Sequence, residues 1–336
     1  MDLLHSLLLS LSSPMVLAFL LGIMATLVRS ELRIPDQLYA ALTIYLLFAI
    51  GLKGGAHLAG VPFADFARPG AAAIGLCVAI PLWSYFLLQR LGGFSRIDAA
   101  AIAAHYGSVS AVTFGASLAF LDQMKVGHEA FLPALLAIME VPAIIVALLL
   151  AGRRREPTTG PSGPGFPAAG PQAWGRVLHE LLTGKGVVLL LGGLAIGLLS
   201  GKTGFDQVSP FFETPFRGVL TLFLLEIGLV TGRRLGELRS AGFFLCGFAL
   251  VMPILHGLLG VWLGRWAGLG VGGATVLGTL AASASYIAAP AAVRVALPEA
   301  NPAFYLTASL AITFPFNVVL GIPAYFAFAR WLLGGG

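Results

Sequence analysis

AlaAlaHisTyrGlySerValSerAlaVal at 103–112 and SerAlaSerTyrIleAlaAlaProAlaAla at 283–292 decide the reading of this chain. Each is a run of small, hydroxylated residues inside a long apolar stretch. Laid over each other at an offset of 180, they place Tyr106 on Tyr286 and bring Gly107-Ser108 close to Ala288-Ala289-Pro290. Two more pairs share this spacing: Ile50-Gly51-Leu52 with Ile227-Gly228-Leu229 at 177, and Pro142 with Pro315 at 173. Three matches in the same order describe an internal repeat.

Composition sets the solvent. Of 336 residues, 58% are hydrophobic and 10% charged, with a mean hydropathy of +0.91. A soluble domain carries roughly 25% charged residues, so this chain cannot cover a water-facing surface and reads as an integral membrane protein. Its apolar runs exceed the ~10-residue alternating strands of a transmembrane barrel. The net charge of +5 lies between apolar runs, which points to bilayer orientation and not to nucleic acid. Cys77 and Cys246 each sit within apolar sequence, which excludes a disulfide framework or a Cys-rich metal site.

A helix needs about 20 apolar residues to cross the hydrocarbon core. Ten spans are predicted, near 12–29, 38–56, 69–89, 97–120, 131–151, 186–201, 215–232, 241–264, 272–293 and 303–332. The first carries no basic n-region before it and reads as a span, not a signal peptide. Between the fifth and sixth lies ArgArgArgGluPro at 153–157 followed by a Pro/Gly/Ser stretch, a linker with no apolar face. The expected division is a first five-helix repeat at 1–152, a linker at 153–180 and a second repeat at 181–336. Alternating loops put 13 Lys and Arg on the linker side and 7 on the other. By the positive-inside rule the linker is cytoplasmic, with both termini outside the inner (plasma) membrane. Because five is odd, the second copy enters upside down. The predicted fold is an all-α membrane protein of ten transmembrane helices in two inverted five-helix repeats. Such repeats are the organisation of secondary transporters.

The same overlay locates a site. Gly, Ser and Pro permit unwinding, so spans 4 and 9 are expected to break at corresponding places. Interrupted helices in both halves mark a midplane site, and each second half-helix offers free N–H groups and a positive dipole end to an anion. The candidate anion-binding residues are Gly107, Ser108, Val109, Ser110, Ala288 and Ala289. Pro290 suits the first turn of such a half-helix.

Oxygen ligands suited to a hard cation cluster nearby: Ser110 and Thr113 at the first break, and Ser283, Thr313 and Asn317 as their counterparts. Charge within a bilayer costs at least ~2.5–3.5 kcal/mol, which makes Glu140, just before Val141-Pro142, a candidate cation ligand or proton carrier. Asp98, at the opening of span 4, joins the candidate metal ligands, although a helix N-terminus alone would stabilise it. Glu226 has Arg217, Lys53, the gate or an oligomer contact as open assignments. His105 and His256 read as buried hydrogen-bonding groups. Enzyme motifs fail: Gly201-Lys202-Thr203 lacks the P-loop glycine, because that position is Ile196. Gly268, Gly270 and Gly273 give GlyxGlyxxGly without a βαβ unit, and read as a loop.

The segments also resemble the sodium-dependent bicarbonate transporters of the SbtA type. AspAla at 98–99 with GlySerValSer at 107–110 is similar to the family's first-half signature. AlaSerAlaSerTyrIleAlaAlaProAlaAlaValArg at 282–294, ProGluAlaAsnPro at 298–302, SerLeuAlaIleThrPheProPheAsn at 309–317 and LeuGlyIlePro at 320–323 resemble the second. The resemblance implies a core domain from spans 3–5 and 8–10, a gate domain from spans 1–2 and 6–7, and bicarbonate uptake driven by Na⁺ as coupling ion. It also implies a homotrimer and a small PII-like regulatory partner. The alternatives are sodium- or proton-coupled transport of another small monocarboxylate, and a membrane anion receptor without flux. Catalysis is not expected, nor is an organic cofactor.

Overall fold

The computed structural model describes residues 3–152 and 171–334. Among these every regular element is helical. In chain order they are α1 (Leu3–Leu11), α2 (Pro14–Leu27), α3 (Asp36–Leu58), α4 (Phe63–Arg90), α5 (Arg96–Gly107), α6 (Ala111–Gln123), α7 (Leu132–Met139) and α8 (Pro142–Gly152). After the linker come α9 (Pro171–Thr183), α10 (Lys185–Phe212), α11 (Phe216–Arg234), α12 (Leu238–Trp266), α13 (Val271–Ala282) and α14 (Ala288–Ala296). The last is α15 (Pro302–Leu333), whose ladder loosens to π geometry at Thr307–Thr313 and Asn317–Gly321. The Arg-rich, Pro/Gly/Ser part of the linker lies outside the described residues, whereas 171–183, also assigned to it, forms the helix α9.

Six helices are long and apolar enough to cross a membrane: α3, α4, α7 with α8, α10, α12 from Ala241, and α15. The other four predicted spans coincide with shorter, charged or interrupted elements. Span 1 is the 14-residue α2, and α11 carries Arg217, Glu226, Arg233 and Arg234. Spans 4 and 9 are each two half-helices.

Glycine sets how closely α3 approaches α10 and α2 approaches α11. Helix α3 packs on α10 and α2 on α11. A Cβ at Gly55 would stand 2.0 Å from the Leu194 carbonyl oxygen, and one at Gly228 would stand 2.1 Å from that of Phe19. Only hydrogen fits at these crossings, as at small-xxx-small contacts in membranes. The remaining helices form a second body around the main apolar core, with α4 on α5 and α8, and α12 on α13 and α15.

Two hydrogen bonds fix the direction of the interrupted helices. The Asn301 N–H, beyond α14, donates to Asp98 Oδ1 at the start of α5 at 2.8 Å. The Gly270 N–H, at the start of α13, donates to Glu129 Oε1, beyond α6, at 2.7 Å. The α5–α6 and α13–α14 pairs therefore lie side by side and run in opposite directions.

Candidate functional site built by two crossing helix breaks

Helix α5 ends at Gly107 and α6 begins at Ala111; α13 ends at Ala282 and α14 begins at Ala288. The first half-helices are each 12 residues long and start 175 residues apart. That spacing pairs Ser108 with Ser283, and both leave the helix in extended backbone, at φ −87°, ψ 167° and φ −75°, ψ 161°. The structural equivalence is therefore Ser108-Val109-Ser110 with Ser283-Ala284-Ser285. The sequence overlay at 180 gave weight to two tyrosines, and these do not occupy matching places. The second break is two residues longer, so Ala288 still follows Ala111 by 177.

The two breaks cross in contact. The Ser110 N–H donates to Ser283 Oγ at 3.0 Å, and the Ser285 N–H donates to the His105 carbonyl at 2.8 Å. Each bond satisfies backbone polarity that unwinding exposed in a buried place, where an unmade hydrogen bond costs ~1–3 kcal/mol. Side chains complete the task. Ser110 Oγ accepts from the Thr113 N–H at 3.2 Å and the Thr113 hydroxyl at 3.0 Å, an N-cap on α6. Ser285 Oγ accepts from the Ala289 N–H at 3.2 Å at the start of α14. Asn317 Nδ2, from the second π stretch, donates to the Ala282 carbonyl at 2.8 Å.

A further opening was not foreseen. Span 5 is interrupted at Glu140 and Val141, ahead of Pro142. Its signal was Pro142 itself, which removes a donor and disfavours helix at the preceding residue. Ser108 Oγ donates to the freed Glu140 carbonyl at 2.9 Å and joins this opening to the first break. Glu140 is 4% exposed, and its Oε2 has no hydrogen-bond partner. Across the crossing, Tyr106 and Thr313 share a 2.6 Å hydroxyl contact, and Thr313 donates to the Ala249 carbonyl at 2.8 Å.

A small cavity adjoins the crossing. It is lined by Ala111 and Val112 at the α6 N-terminus, Ile287, Thr43 and Leu46 of α3, and Phe223 of α11, among others. It therefore lies where the glycine-packed body meets the body carrying the breaks.

Residues 14–330 match the family model of the Na⁺-dependent bicarbonate transporter superfamily. The chain belongs to that superfamily. Comparison with curated proteins gives no match. The match runs from α2 to near the end of α15, and so includes both breaks and both packed bodies of this bicarbonate-transporter-superfamily chain.

Within this family member the structure gathers Ser108, Val109, Ser110, Thr113, Ser283, Ala288 and Ala289 at the breaks. Glu140 is linked through Ser108, Thr313 through Tyr106, and Asn317 through Ala282. Asp98 is not brought there. It sits in the first turn of α5, accepting from Ser95 Oγ at 2.6 Å as well as from Asn301. Glu226 pairs with neither sequence candidate. Lys53 takes Glu213 at 2.5 Å and Arg217 takes Asp122 at 2.6 Å, while Glu226 has Arg233 at 3.4 Å. His256 accepts from Trp83 Nε1 at 2.8 Å, and the His105 ring stacks on Tyr305. Among the described residues, no three acidic, His or Cys side chains converge. A cation at the breaks would thus be held by hydroxyl, amide and carbonyl oxygens, with Glu140, tied to the first break through Ser108, as the linked carboxylate.

Proposed function

We propose that the chain imports bicarbonate together with Na⁺ by alternating access, as a ten-span inverted repeat. The crossing of the two breaks carries this reading. Unwound backbone within an apolar bundle survives only where protein satisfies it or a cavity is lined, and here both conditions hold. Helices α6 and α14 each begin at the crossing, so two positive dipole ends point at one place. A singly charged planar oxyanion can be held there by N–H groups of Ala111, Val112 and Ala288 without an arginine. Na⁺ on the Ser110, Thr113, Ser283 and Asn317 oxygens, with Glu140 as counter-charge, would neutralise the anion and link its entry to the sodium gradient.

The opposite directions of the α5–α6 and α13–α14 pairs support the inverted repeat. The gate is assigned to the glycine-packed pairs α2–α11 and α3–α10, and the core to α4–α8 with α12–α15. The cavity at their junction is the natural place for the two bodies to separate. Helix α9 packs on α14, so Arg294 and α9 share a face, assigned as cytoplasmic. The implied homotrimer would use α10, the least buried of the membrane-length helices.

Uptake of labelled bicarbonate into proteoliposomes tests the proposal. Accumulation should follow an inward Na⁺ gradient and resist competition by short monocarboxylates. Accumulation driven by a proton gradient without Na⁺ would overturn sodium coupling. Anion binding with no flux would make the chain a receptor.

A further inference from the structure

Of the glycines 268, 270 and 273, which match no nucleotide site, the last two seat a carboxylate. Gly268 turns the chain at φ +86°, Gly270 is the N-cap of α13, and Gly273 lies in its first turn. Glu129, from the loop after α6, enters this space. Its Oε1 accepts the Gly270 N–H, and its Oε2 occupies the room a side chain at 273 would need, 1.9 Å from where that Cβ would stand. Gly272 is equally constrained: its Cβ would stand 2.2 Å from the Gly127 carbonyl oxygen.

Helix α5 explains why a carboxylate belongs there. At the same helical position, 175 residues earlier, stands Asp98. That carboxylate is part of α5 itself, and it accepts the Asn301 N–H from the loop after α14. In α13 the position is glycine, and the opposite loop supplies the acid. Each arrangement joins the start of one broken helix to the loop that ends the other. Helices α6 and α13 are 13 and 12 residues long, or roughly 20 and 18 Å. Fixing their far ends together at Glu129 therefore sets how their near ends meet at Ser110 and Ser283. Asp98 does the same for α5 and α14 on the other side.

We propose that Glu129, seated in Gly270–Gly273, is a positioning residue that holds the two helix breaks in register, as Asp98 does from the opposite face. It touches neither anion nor cation. Its link to transport rests on the function proposed above, but its effect on the breaks does not.

Hydrogen exchange on the purified full-length protein tests this without substrate. In Glu129→Ala, peptides spanning 105–112 and 282–290 should exchange on the order of tenfold faster. Peptides from α3 and α10 should keep wild-type protection. Gly273→Asp alone should also loosen the breaks, because the new acid collides with Glu129. The double variant Glu129→Ala/Gly273→Asp relocates the carboxylate as α5 has it, and should restore protection. Should Glu129→Ala fail to fold, the equally short Glu129→Ser, alone and with Gly273→Asp, provides the same comparison. Wild-type exchange at the breaks in Glu129→Ala, or a double variant no better protected than its parents, would overturn the proposal. In proteoliposomes the single variants should raise the apparent KM for bicarbonate, and the double variant should bring it back. A wild-type protein that moves no bicarbonate would sink the transport reading and leave the exchange result standing.

Discussion

The Ser285 N–H donates to the His105 carbonyl at 2.8 Å, joining residues 180 apart in sequence. His105 belongs to the last turn of α5, one of whose final carbonyls would otherwise lack a partner. The second break thus supplies the donor that the first helix needs. The first break returns the bond through the Ser110 N–H to Ser283 Oγ. Each break is satisfied in part by the other, which makes the crossing a single structural unit and leaves the first N–H groups of α6 and α14 available to a ligand.

This reciprocity separates two serines that look interchangeable. Ser283→Ala removes the acceptor of the Ser110 N–H and leaves a buried donor unpaired, a cost of about 1–3 kcal/mol. Ser110→Ala instead removes the cap of α6, about 1 kcal/mol, together with a hydroxyl at the proposed site. Thermal melting in detergent should therefore fall further in Ser283→Ala, while the apparent affinity for anion should suffer more in Ser110→Ala. The reverse order in both measurements would contradict a division in which Ser283, also a proposed Na⁺ ligand, matters more to the fold and Ser110 more to the anion.

That both spans break was legible from the unwinding and kinking residues Gly107, Ser108 and Pro290, although the second break lies at 283–287 and Ala288–Pro290 open α14. The register of the two breaks was not legible. Two tyrosines drew the overlay to 180, whereas the two Ser-x-Ser triplets, Ser108-Val109-Ser110 and Ser283-Ala284-Ser285, match at 175; triplets of small residues are too common to carry an alignment alone. The opening at Glu140 and the π stretches of α15 were missed for a related reason. Pro142 and Pro315 were used as markers of repetition, although each also removes a backbone donor from its own helix. Asp98 was placed among cation ligands from its residue type, and only the fold shows both its oxygens engaged far along α5 from the break. Glu129 was passed over because its partner, the α13 N-cap, lies 141 residues away.

The close packing of α3 on α10 makes a direct prediction for Gly55. Alanine there directs a methyl at the Leu194 carbonyl, 2.0 Å away, and at the Leu198 nitrogen, 2.7 Å away. Neither is a flexible side chain, so α3 and α10 must move apart, and overpacking of this kind costs about 1–3 kcal/mol. Gly75→Ala is the matched control: it is also within a helix, has nothing within 4 Å of its Cβ, and should be neutral or slightly stabilising. Equal melting temperatures for the two variants would remove the close-packing role.

Thr231 provides a switchable contact. Pro315 has no N–H, so the π stretch of α15 leaves a carbonyl one turn earlier without its donor. Thr231 Oγ1, from α11, donates to the Leu310 carbonyl at 3.0 Å. This bond runs from the proposed gate to the proposed core and must break if they slide. Thr231→Val keeps the shape and removes about 0.5–1.5 kcal/mol from this conformation alone. Thiol labelling of a cysteine placed at Thr43, beside the cavity, should then quicken by the corresponding few-fold factor. An unchanged labelling rate would mean that the contact does not distinguish two states.

Glu140 is the sharpest test of coupling. Its Oε2 is buried without a partner, its backbone carbonyl is held by Ser108 at the first break, and the matching region of α15 offers neutral Thr313 and Asn317. An unpaired carboxylate in this position is costly unless a cation or a proton joins it. Glu140→Gln keeps volume and one acceptor oxygen but removes the charge. If Glu140 is an ionised partner of Na⁺, the variant should lose most sodium activation while its melting temperature in sodium-free buffer stays near wild type. The stabilisation that added Na⁺ gives the wild type, equal to RT ln(1 + [Na⁺]/Kd), should vanish with it. If Glu140 instead carries a proton, wild-type uptake should follow an imposed proton gradient in the absence of Na⁺, and only that response should disappear in the variant. A Gln variant that keeps both the sodium-dependent melting shift and the pH response would show a structural acid, and the coupling charge would then have to be sought at Glu226, the other buried carboxylate with an unpartnered oxygen inside a span.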